Sequence, residues 1–312
     1  MNKILISDSM DKIAQEILIS EGLDVDVITN FTDEQLLENI INYNGLIVRS
    51  ATKVTNKIIN NAKNLKIIGR AGAGVDNIDL EAAKNNNIVV MNTPGGNTNA
   101  TAEHTIALLF SSLRFINEAN ISTHNGLWEK KKFKGSEVKG KKIGIIGFGN
   151  VGKRVAEICL SLGMQVNIFS SYFKTIKNNF KNYNSSENLD EVIKNSDILS
   201  FHCKPNKDNT PIMNLSKIKL MNKSSIIINT ARGNLVDEND LKDALENNII
   251  AGAAIDVFST EPAKNSILFK VPNLILTPHI AASTNEAQII VAEMIAKQIS
   301  EYFKSGKIIN SV

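Results

Sequence analysis

Short apolar runs alternate with segments of helical periodicity along nearly the whole chain. The first series of apolar runs comprises KILIS, DVDVI, LIVRS, LKIIGRAG and IVVMNTP. A second series begins at KKIGIIG and continues through VNIFSS, DILSFHC, SSIIINTARG, AGAAIDVF and LILTPH. Because strands that alternate with helices form parallel sheets, the pattern predicts an α/β protein built from two series of parallel βα units.

Two longer segments have apolar positions at helical spacing. TAEHTIALLFSSLRFINEANIS, between the two series, is predicted to be one long linking helix. NEAQIIVAEMIAKQISEYFKSG is predicted to be a second long amphipathic helix that ends at Gly306. No low-complexity linker separates the halves, so any hinge between them must be built from ordered chain.

Composition narrows the class of protein. A length of 312 residues is enough for about two domains. The 35 basic and 32 acidic residues give a net charge of +3, so nothing in the charge points to a nucleic-acid partner. No apolar run approaches the ~20 residues that a membrane span needs, and the opening MNKILISDSM lacks the apolar segment of a secretory signal. We therefore expect no membrane partner and a cytoplasmic location.

Metal and disulfide chemistry are not indicated by the cysteines. Cys159 and Cys203 show no CxxC spacing and no second ligand pair. We therefore expect neither a metal site nor a disulfide.

The segment KKIGIIGFGNVGKRVAEICLSLG carries a GxGxxG pattern at Gly147, Gly149 and Gly152. In dinucleotide-binding sites the first glycine permits a tight turn, the second lets the backbone approach the pyrophosphate, and the third lets the helix pack on the sheet. The helix N-terminus then attracts the phosphates. Such glycines also occur in plain turns, but a position between a strand and a helix favours a dinucleotide site.

The acid that normally follows this motif is missing. A carboxylate about 20 residues on, at the end of the second strand, usually accepts hydrogen bonds from the adenosine ribose of NAD, but Ser170 stands there. Without that carboxylate a 2'-phosphate meets no repulsion, so we expect NADP to be tolerated beside NAD. Lys174 and Lys204 are candidate phosphate partners, and both are equally well explained as solvated surface lysines.

Arg232, Asp256, Glu261 and His279 each follow a strand-like run. Hydride transfer to a 2-keto acid needs a cation for the carboxylate, which Arg provides, and a proton donor, which His provides near neutral pH. A Glu beside that His would favour the imidazolium. Each residue also has a structural explanation, in a loop or an ion pair. His104, His124 and His202 are expected to be structural, although His202 ends a strand beside the expected cofactor.

Several motifs, in order, resemble the D-isomer-specific 2-hydroxyacid dehydrogenases over essentially the whole chain. They are ISDSM, GLIVRSATKVT, IIGRAGAGVDNIDLEAA, VVMNTPGGN, GIIGFGNVGKRVA, NTARGNLVDE, AGAAIDVFSTEP and PHIAASTNEA. The resemblance implies two Rossmann-like doubly wound domains. Residues 1–95, completed by 282–312, would form a substrate domain, and residues 96–281 a dinucleotide domain, with hinges at the crossings.

The resemblance also implies roles for single residues. His279 would be the general acid/base, Glu261 its partner and Arg232 the anchor of the substrate carboxylate. The cofactor-binding residues would be Gly147, Gly149, Asn150, Val151, Gly152, Ser170, His202, Thr230, Ala231 and Asp256, with Asp256 at the nicotinamide amide. Backbone N–H groups around Ala73, Gly74 and Val75 would face the substrate carboxylate.

Basic residues suggest a phosphorylated substrate. Arg49 and Arg70 match positions that bind the substrate phosphate in family members acting on 3-phosphoglycerate. Lys130 and Lys131, in EKKKFKG, match residues thought to reach a neighbouring subunit's site, and the resemblance implies a homodimer. By residue pattern alone this lysine run is a solvated loop.

Two alternatives stay open. Within the family, the chain could instead be a glyoxylate or hydroxypyruvate reductase or a D-lactate-type dehydrogenase. From another class, it could be a dinucleotide-sensing, corepressor-like binding protein. Because the sequence ends at Val312, we also expect a short form without the C-terminal regulatory domain of longer members.

Overall fold

The computed structural model describes residues 1–172, 174, 180 and 182–312. These residues form two compact units, one of Met1–Asn97 with Ser283–Val312 and the other of Thr98–Ala282. Each unit is built on a parallel sheet with helices, so the predicted α/β class is confirmed. No described helix is long and apolar enough to cross a membrane.

Every residue of the first unit is described by the structure. The unit contains a parallel sheet of five strands in the order β2-β1-β3-β4-β5. Its strands are β1 (Lys3–Ile6), β2 (Asp24–Val27), β3 (Gly45–Val48), β4 (Ile67–Arg70) and β5 (Val89–Met91). Its helices are α1 (Ile13–Ser20), α2 (Asp33–Asn39), α3 (Asn56–Asn61), α4 (Leu80–Asn85) and α11 (Asn285–Ser305), with a 3-10 turn at Ile40–Asn42. The strand order reverses between β1 and β3, and such a reversal opens a crevice at the carboxyl ends of the strands.

The C-terminal helix α11 completes the core of this unit. Its apolar face contributes Val291, Ile295 and Ile299 to a buried cluster that also contains residues of β1 and α1. Gly69 in β4 allows the close approach, because a β-carbon there would lie 2.6 Å from Ile299 Cδ1. The helix begins at the Thr284 cap and ends at Gly306, whose φ of 75° stops it as predicted.

In the described part of the second unit, seven parallel strands follow the order β12-β11-β10-β9-β6-β7-β8. The strands are β6 (Lys142–Ile146), β7 (Gln165–Phe169), β8 (Asn184–Ser186), β9 (Ile198–Phe201), β10 (Ile226–Asn229), β11 (Gly252–Ile255) and β12 (Leu274–Leu276). The helices are α5 (Thr98–Arg114), α6 (Ile116–His124), α7 (Asn150–Ser161), α8 (Leu189–Lys194), α9 (Leu215–Ile218) and α10 (Glu238–Glu246), with a 3-10 turn at Gly233–Leu235. The order reverses between β6 and β9.

Two elements differ from the sequence prediction. The predicted linking helix is two helices, α5 and α6, because Phe115 adopts a left-handed conformation with a φ of 52° and interrupts it. Strand β8 was not predicted, because it is a three-residue edge strand of Asn and Ser with no apolar run.

Candidate active site

The glycine motif forms a tight strand–turn–helix junction after β6. Gly147 has a φ of 100°, and a β-carbon on it would lie 2.6 Å from the His202 carbonyl oxygen. A β-carbon on Gly152 would lie 2.2 Å from the Gly147 carbonyl oxygen. Only glycine fits at these two positions, so α7 packs directly on the end of β6 beside β9.

Gly149 has different surroundings. A β-carbon there would meet no atom within 4 Å, so the space over the middle glycine is open. Gly149 is also the N-cap of the twelve-residue helix α7 and supplies no side-chain hydrogen bond to it. The first N–H groups of the helix, including those of Asn150 and Val151, therefore face an open space at the positive end of the helix dipole. This arrangement fits the pyrophosphate of a dinucleotide.

Ser170, immediately after β7, lies at the position of the missing acid. The residue is buried, and its hydroxyl accepts a hydrogen bond of 3.2 Å from the Tyr172 N–H. The hydroxyl proton remains available for donation. Lys174 and Lys204 are both exposed.

His202 borders the glycine turn from the end of β9. Its Nε2 lies 2.8 Å from the hydroxyl oxygen of Ser200, and burial lowers the pKa of His202 to about 3. The imidazole is therefore neutral at physiological pH, so it lines the junction and is not suited to proton transfer.

The ends of β10, β11 and β12 bring the second constellation together. Arg232 follows β10, Asp256 and Glu261 follow β11, and His279 follows β12. The Nδ1 atom of His279 lies 2.6 Å from Oε2 of Glu261, and Oε1 of Glu261 accepts a 2.9 Å hydrogen bond from the Phe258 N–H. The imidazole is thus held on its Nδ1 side, which leaves Nε2 as the nitrogen for other chemistry.

This contact changes the pKa values of both partners. The hydrogen bond to Glu261 raises the pKa of His279, and it outweighs the opposing effects of burial and of the Arg232 charge. Burial raises the pKa of Glu261, but the hydrogen bonds from His279 and Phe258 outweigh it and the net pKa is lowered. The pair therefore favours an imidazolium beside a carboxylate.

Arg232 is positioned by its neighbours in the loop after β10. The buried Asn229 side chain donates to the Arg232 carbonyl oxygen at 2.8 Å and accepts from the Ala231 N–H at 3.1 Å. Thr230 lies 2.8 Å from Thr105 of α5 through the two hydroxyl oxygens. The loop that carries Thr230, Ala231 and Arg232 is therefore fixed to the sheet and to α5.

Asp256 is fully buried, and its carboxylate accepts three hydrogen bonds from the segment that carries His279. They come from the Thr277 hydroxyl at 2.5 Å, the Ile280 N–H at 2.9 Å and the Ala281 N–H at 3.0 Å. His104 of α5, expected to be an ordinary helix side chain, places its Nε2 3.4 Å from the same carboxylate. Its helical spacing gave no sign of this contact, because α5 and β11 meet only in the tertiary structure.

Arg49 lies at the strand-order reversal of the first unit, directly after β3. The buried Asp8 carboxylate accepts from the N–H groups of Arg49, at 2.5 Å, and of Thr52, at 3.1 Å. Asn77 donates to the carbonyl oxygens of Arg49 and Thr52, each at 2.7 Å. The Arg49 guanidinium donates to the Ser9 carbonyl at 2.9 Å. Two side chains thus clamp the Arg49 loop.

A cleft of about 440 Å³ adjoins this arginine. It is lined by Ser9, Met10, Asp11, Arg49, Asn285, Gln288 and Ile289, all of them in the first unit. The lining carries one cation, Arg49, and one acid, Asp11, whose carboxylate accepts a 2.9 Å hydrogen bond from the Ile13 N–H. An anionic group would therefore be accepted beside the guanidinium and not beside Asp11.

Arg70 ends β4 and lies against the following loop. A β-carbon on Gly72, which has a φ of 149°, would coincide with the guanidinium, 1.4 Å from Nη1 of Arg70. The loop carries Ala73, Gly74 and Val75, and the Asn92 side chain donates to the Ala73 carbonyl at 2.6 Å. Arg49 and the Arg70 loop therefore lie at the ends of two adjacent strands.

Lys130 and Lys131 follow α6 rather than a strand end, and both are exposed. The same part of the second unit exposes apolar side chains: Trp128 is 86% exposed, Ile121 60% and Leu127 50%. Among the described residues, no group of three His, Cys, Asp or Glu side chains is arranged to hold a metal ion.

Known proteins resemble this chain in sequence and in fold. Residues 106–281 match the family model of the D-isomer specific 2-hydroxyacid dehydrogenase, NAD binding domain. A D-3-phosphoglycerate dehydrogenase of Archaeoglobus fulgidus is 40% identical over 99% of this chain, which spans 59% of that relative's length. The chain thus spans little more than half the length of this curated relative.

Two solved structures are similar to this chain over nearly its whole length. The NAD⁺-bound 3-phosphoglycerate dehydrogenase of Entamoeba histolytica has a TM-score of 0.84 and 30% identity, covering 100% of this chain and 98% of its own. An acyclic imino acid reductase bound to NADPH and D-Arg has a TM-score of 0.89 and 30% identity, covering 99% of each chain. The resemblance drawn from the sequence motifs is confirmed.

Proposed function

Because this chain belongs to the D-isomer specific 2-hydroxyacid dehydrogenase family, we propose that it oxidises 3-phospho-D-glycerate to 3-phosphohydroxypyruvate, the first step of serine biosynthesis. The observation that carries the chemistry is the 2.6 Å contact between His279 and Glu261, which follow β12 and β11. Arg232 follows β10, the strand that pairs with β11. The similarity to proteins named 3-phosphoglycerate dehydrogenase supports the choice of substrate.

The second unit holds the dinucleotide. Asn150 and Val151, at the start of α7, bind the pyrophosphate in the open space over Gly149, and Thr230, Ala231 and Asp256 line the nicotinamide end. A bound NAD would supply the acceptor for the hydride that leaves the carbon bearing the substrate hydroxyl. Because Ser170 replaces the usual acid, NADP serves as well.

His279 takes the hydroxyl proton on Nε2 as the hydride departs, and returns it in the reverse reaction. Glu261 holds the ring and stabilises the imidazolium that results. Arg232 binds the substrate carboxylate through two parallel hydrogen bonds, a geometry that fixes the reacting carbon.

For the first unit, we propose substrate-binding residues on the basis of the family resemblance. Arg49 and Arg70 take the phosphate, and the N–H groups of the loop at Ala73, Gly74 and Val75 face the carboxylate. The Asp8 and Asn77 clamp supports this role for Arg49, because a backbone that is already fixed at Arg49 has less freedom to lose when the side chain binds an anion.

We further propose a cytoplasmic homodimer formed through the dinucleotide units. The exposed Trp128, Leu127 and Ile121 support this, since clustered apolar side chains are typical of interfaces. Lys130 and Lys131 would then reach the partner's site. Sedimentation of wild type and Trp128→Asp tests the dimer, which this substitution should dissociate.

A substrate panel tests the proposed function. We expect the highest kcat/KM in the reductive direction for 3-phosphohydroxypyruvate, above hydroxypyruvate, glyoxylate and pyruvate. A preference for hydroxypyruvate or glyoxylate would instead assign a reductase of the same family. Dinucleotide binding without turnover of any 2-keto acid would favour a corepressor-like binding protein.

A further inference from the structure

The backbone of His279 is in a conformation that a residue with a side chain rarely adopts. Its φ is 53°, in the left-handed region. A residue other than glycine keeps such a conformation where the surrounding structure imposes it, and these residues cluster at functional sites as well as occurring in turns. Something outside residue 279 must therefore hold it.

The hydrogen bonds around the segment identify what holds it. The His279 N–H donates to the Asp256 carbonyl oxygen at 2.8 Å. The Asp256 carboxylate accepts from Thr277, two residues before His279, and from Ile280 and Ala281, directly after it. Asp256 thus fixes the chain on both sides of the strained residue, from a fully buried position.

We propose that Asp256, with the Thr277 hydroxyl, is a positioning residue for the catalytic histidine. It holds the backbone of His279 in the left-handed conformation and so keeps Nδ1 within reach of Glu261. This role is additional to the contact with nicotinamide that the family resemblance implies for Asp256, and it rests on the proposed function only for its effect on turnover.

His104 belongs to the same arrangement. Its Nε2 lies 3.2 Å from the Thr277 hydroxyl oxygen and 3.4 Å from the Asp256 carboxylate, so it orients the hydroxyl that Thr277 donates. The charged and titratable groups that act on His279 are Glu261, Asp256 and Arg232. A variant that tests the clamp must leave all three unchanged, and this singles out Thr277.

The decisive comparison is Thr277→Val against Thr277→Ser. Val keeps the shape and removes the hydroxyl, whereas Ser keeps the hydroxyl. The imidazole of His279 is titrated by proton NMR in the full chain without added dinucleotide. The chain has only four histidines, so single substitutions assign each signal.

In Thr277→Val we expect the pKa of His279 to fall toward its ordinary value, because the ring is no longer held at Glu261. We also expect kcat to fall about tenfold, with the KM of the substrate little changed, since a hydrogen bond to a charged group is lost. Thr277→Ser should restore both. Asp256→Asn should lower the pKa as well, but it also removes a charge, so it is only a supporting variant.

An unchanged His279 titration in Thr277→Val overturns the proposal, as does a Thr277→Ser protein that behaves like Thr277→Val. If the Val variant does not fold, Thr277→Ala takes its place with the same expectations. The titration needs no turnover. A wild type inactive on every 2-keto acid would therefore refute the proposed function, while the NMR result would still decide the clamp.

Discussion

Gly233 lies so close to Phe258 that a β-carbon on Gly233 would stand 1.9 Å from the carbonyl carbon of Phe258. The first residue follows Arg232, and the second donates its N–H to Glu261. The closeness of these two backbones therefore couples the loop that carries Arg232 to the loop that carries Glu261, the hydrogen-bond partner of His279.

Gly233→Ala should accordingly destabilise the fold. The added carbon meets backbone, which cannot rotate away as a side chain would, and we expect a loss of about 3 kcal/mol in the free energy of unfolding. Gly149→Ala is the matched control, since its β-carbon enters open space. It should cost less than about 1 kcal/mol of stability but weaken NAD binding at least about tenfold. Urea unfolding and dinucleotide titration of both variants check this, and equal stability losses would contradict it.

Glu261→Gln should shift the pH dependence of reduction. In the proposed reaction, reduction needs protonated His279, and Glu261 raises the pKa of that imidazole. Without the carboxylate, the alkaline limit of kcat/KM for keto-acid reduction moves to lower pH. An unchanged pH profile would mean that the contact does not control protonation.

The same pair gives stability a defined pH window. A raised pKa in folded His279 stabilises the fold below the ordinary histidine value, and this contribution is lost as pH rises through the raised value. The lowered pKa of Glu261 stabilises it above the ordinary glutamate value, and that contribution is lost as pH falls through the lowered value. The free energy of unfolding in urea should therefore be higher for wild type than for Glu261→Gln at pH values between these two limits. Outside the limits the two proteins should have the same free energy of unfolding.

Ser170→Asp should restore discrimination against NADP. A carboxylate about 4 Å from the 2'-phosphate is repelled by about 4 kcal/mol per charge pair at an effective dielectric of 20, which is about 10³-fold in relative kcat/KM. Wild type should discriminate by less than this, and Ser170→Ala should resemble wild type. If wild type already prefers NAD by more than about 10³-fold, Ser170 does not confer tolerance of the phosphate.

Arg49→Ala should weaken the binding of the phosphorylated substrate only. Loss of a charged hydrogen-bond donor costs about 1.5 to 3 kcal/mol. The Michaelis constant for the phosphorylated keto acid should therefore rise at least about tenfold, while the constant for hydroxypyruvate stays the same. Lys53→Ala, an exposed cation four residues away, is the control. Equal effects on both substrates would remove Arg49 from phosphate recognition.

Features that depend on short sequence patterns could be predicted from the sequence alone. The GxGxxG spacing predicted the strand–turn–helix junction at Gly147, and the strand-like runs before Arg232, Glu261 and His279 predicted that each of these residues follows a strand. In contrast, no Gly or Pro adjoins Phe115 to indicate the helix break there. Strand β8 is defined by its pairing with β7, which no local pattern in the sequence indicates. Asp8 and His104 act through partners more than 40 residues away in sequence, so no local pattern could reveal their contacts.

The most direct test of the account is the oxidation of 3-phospho-D-glycerate with NAD by the purified chain, measured beside His279→Gln. We predict NADH formation by wild type and a loss in kcat of at least about 10²-fold in the variant, with undiminished NAD binding and a free energy of unfolding no lower than that of Glu261→Gln, which breaks the same pair. Absence of turnover in wild type, or a variant as active as wild type, would contradict it.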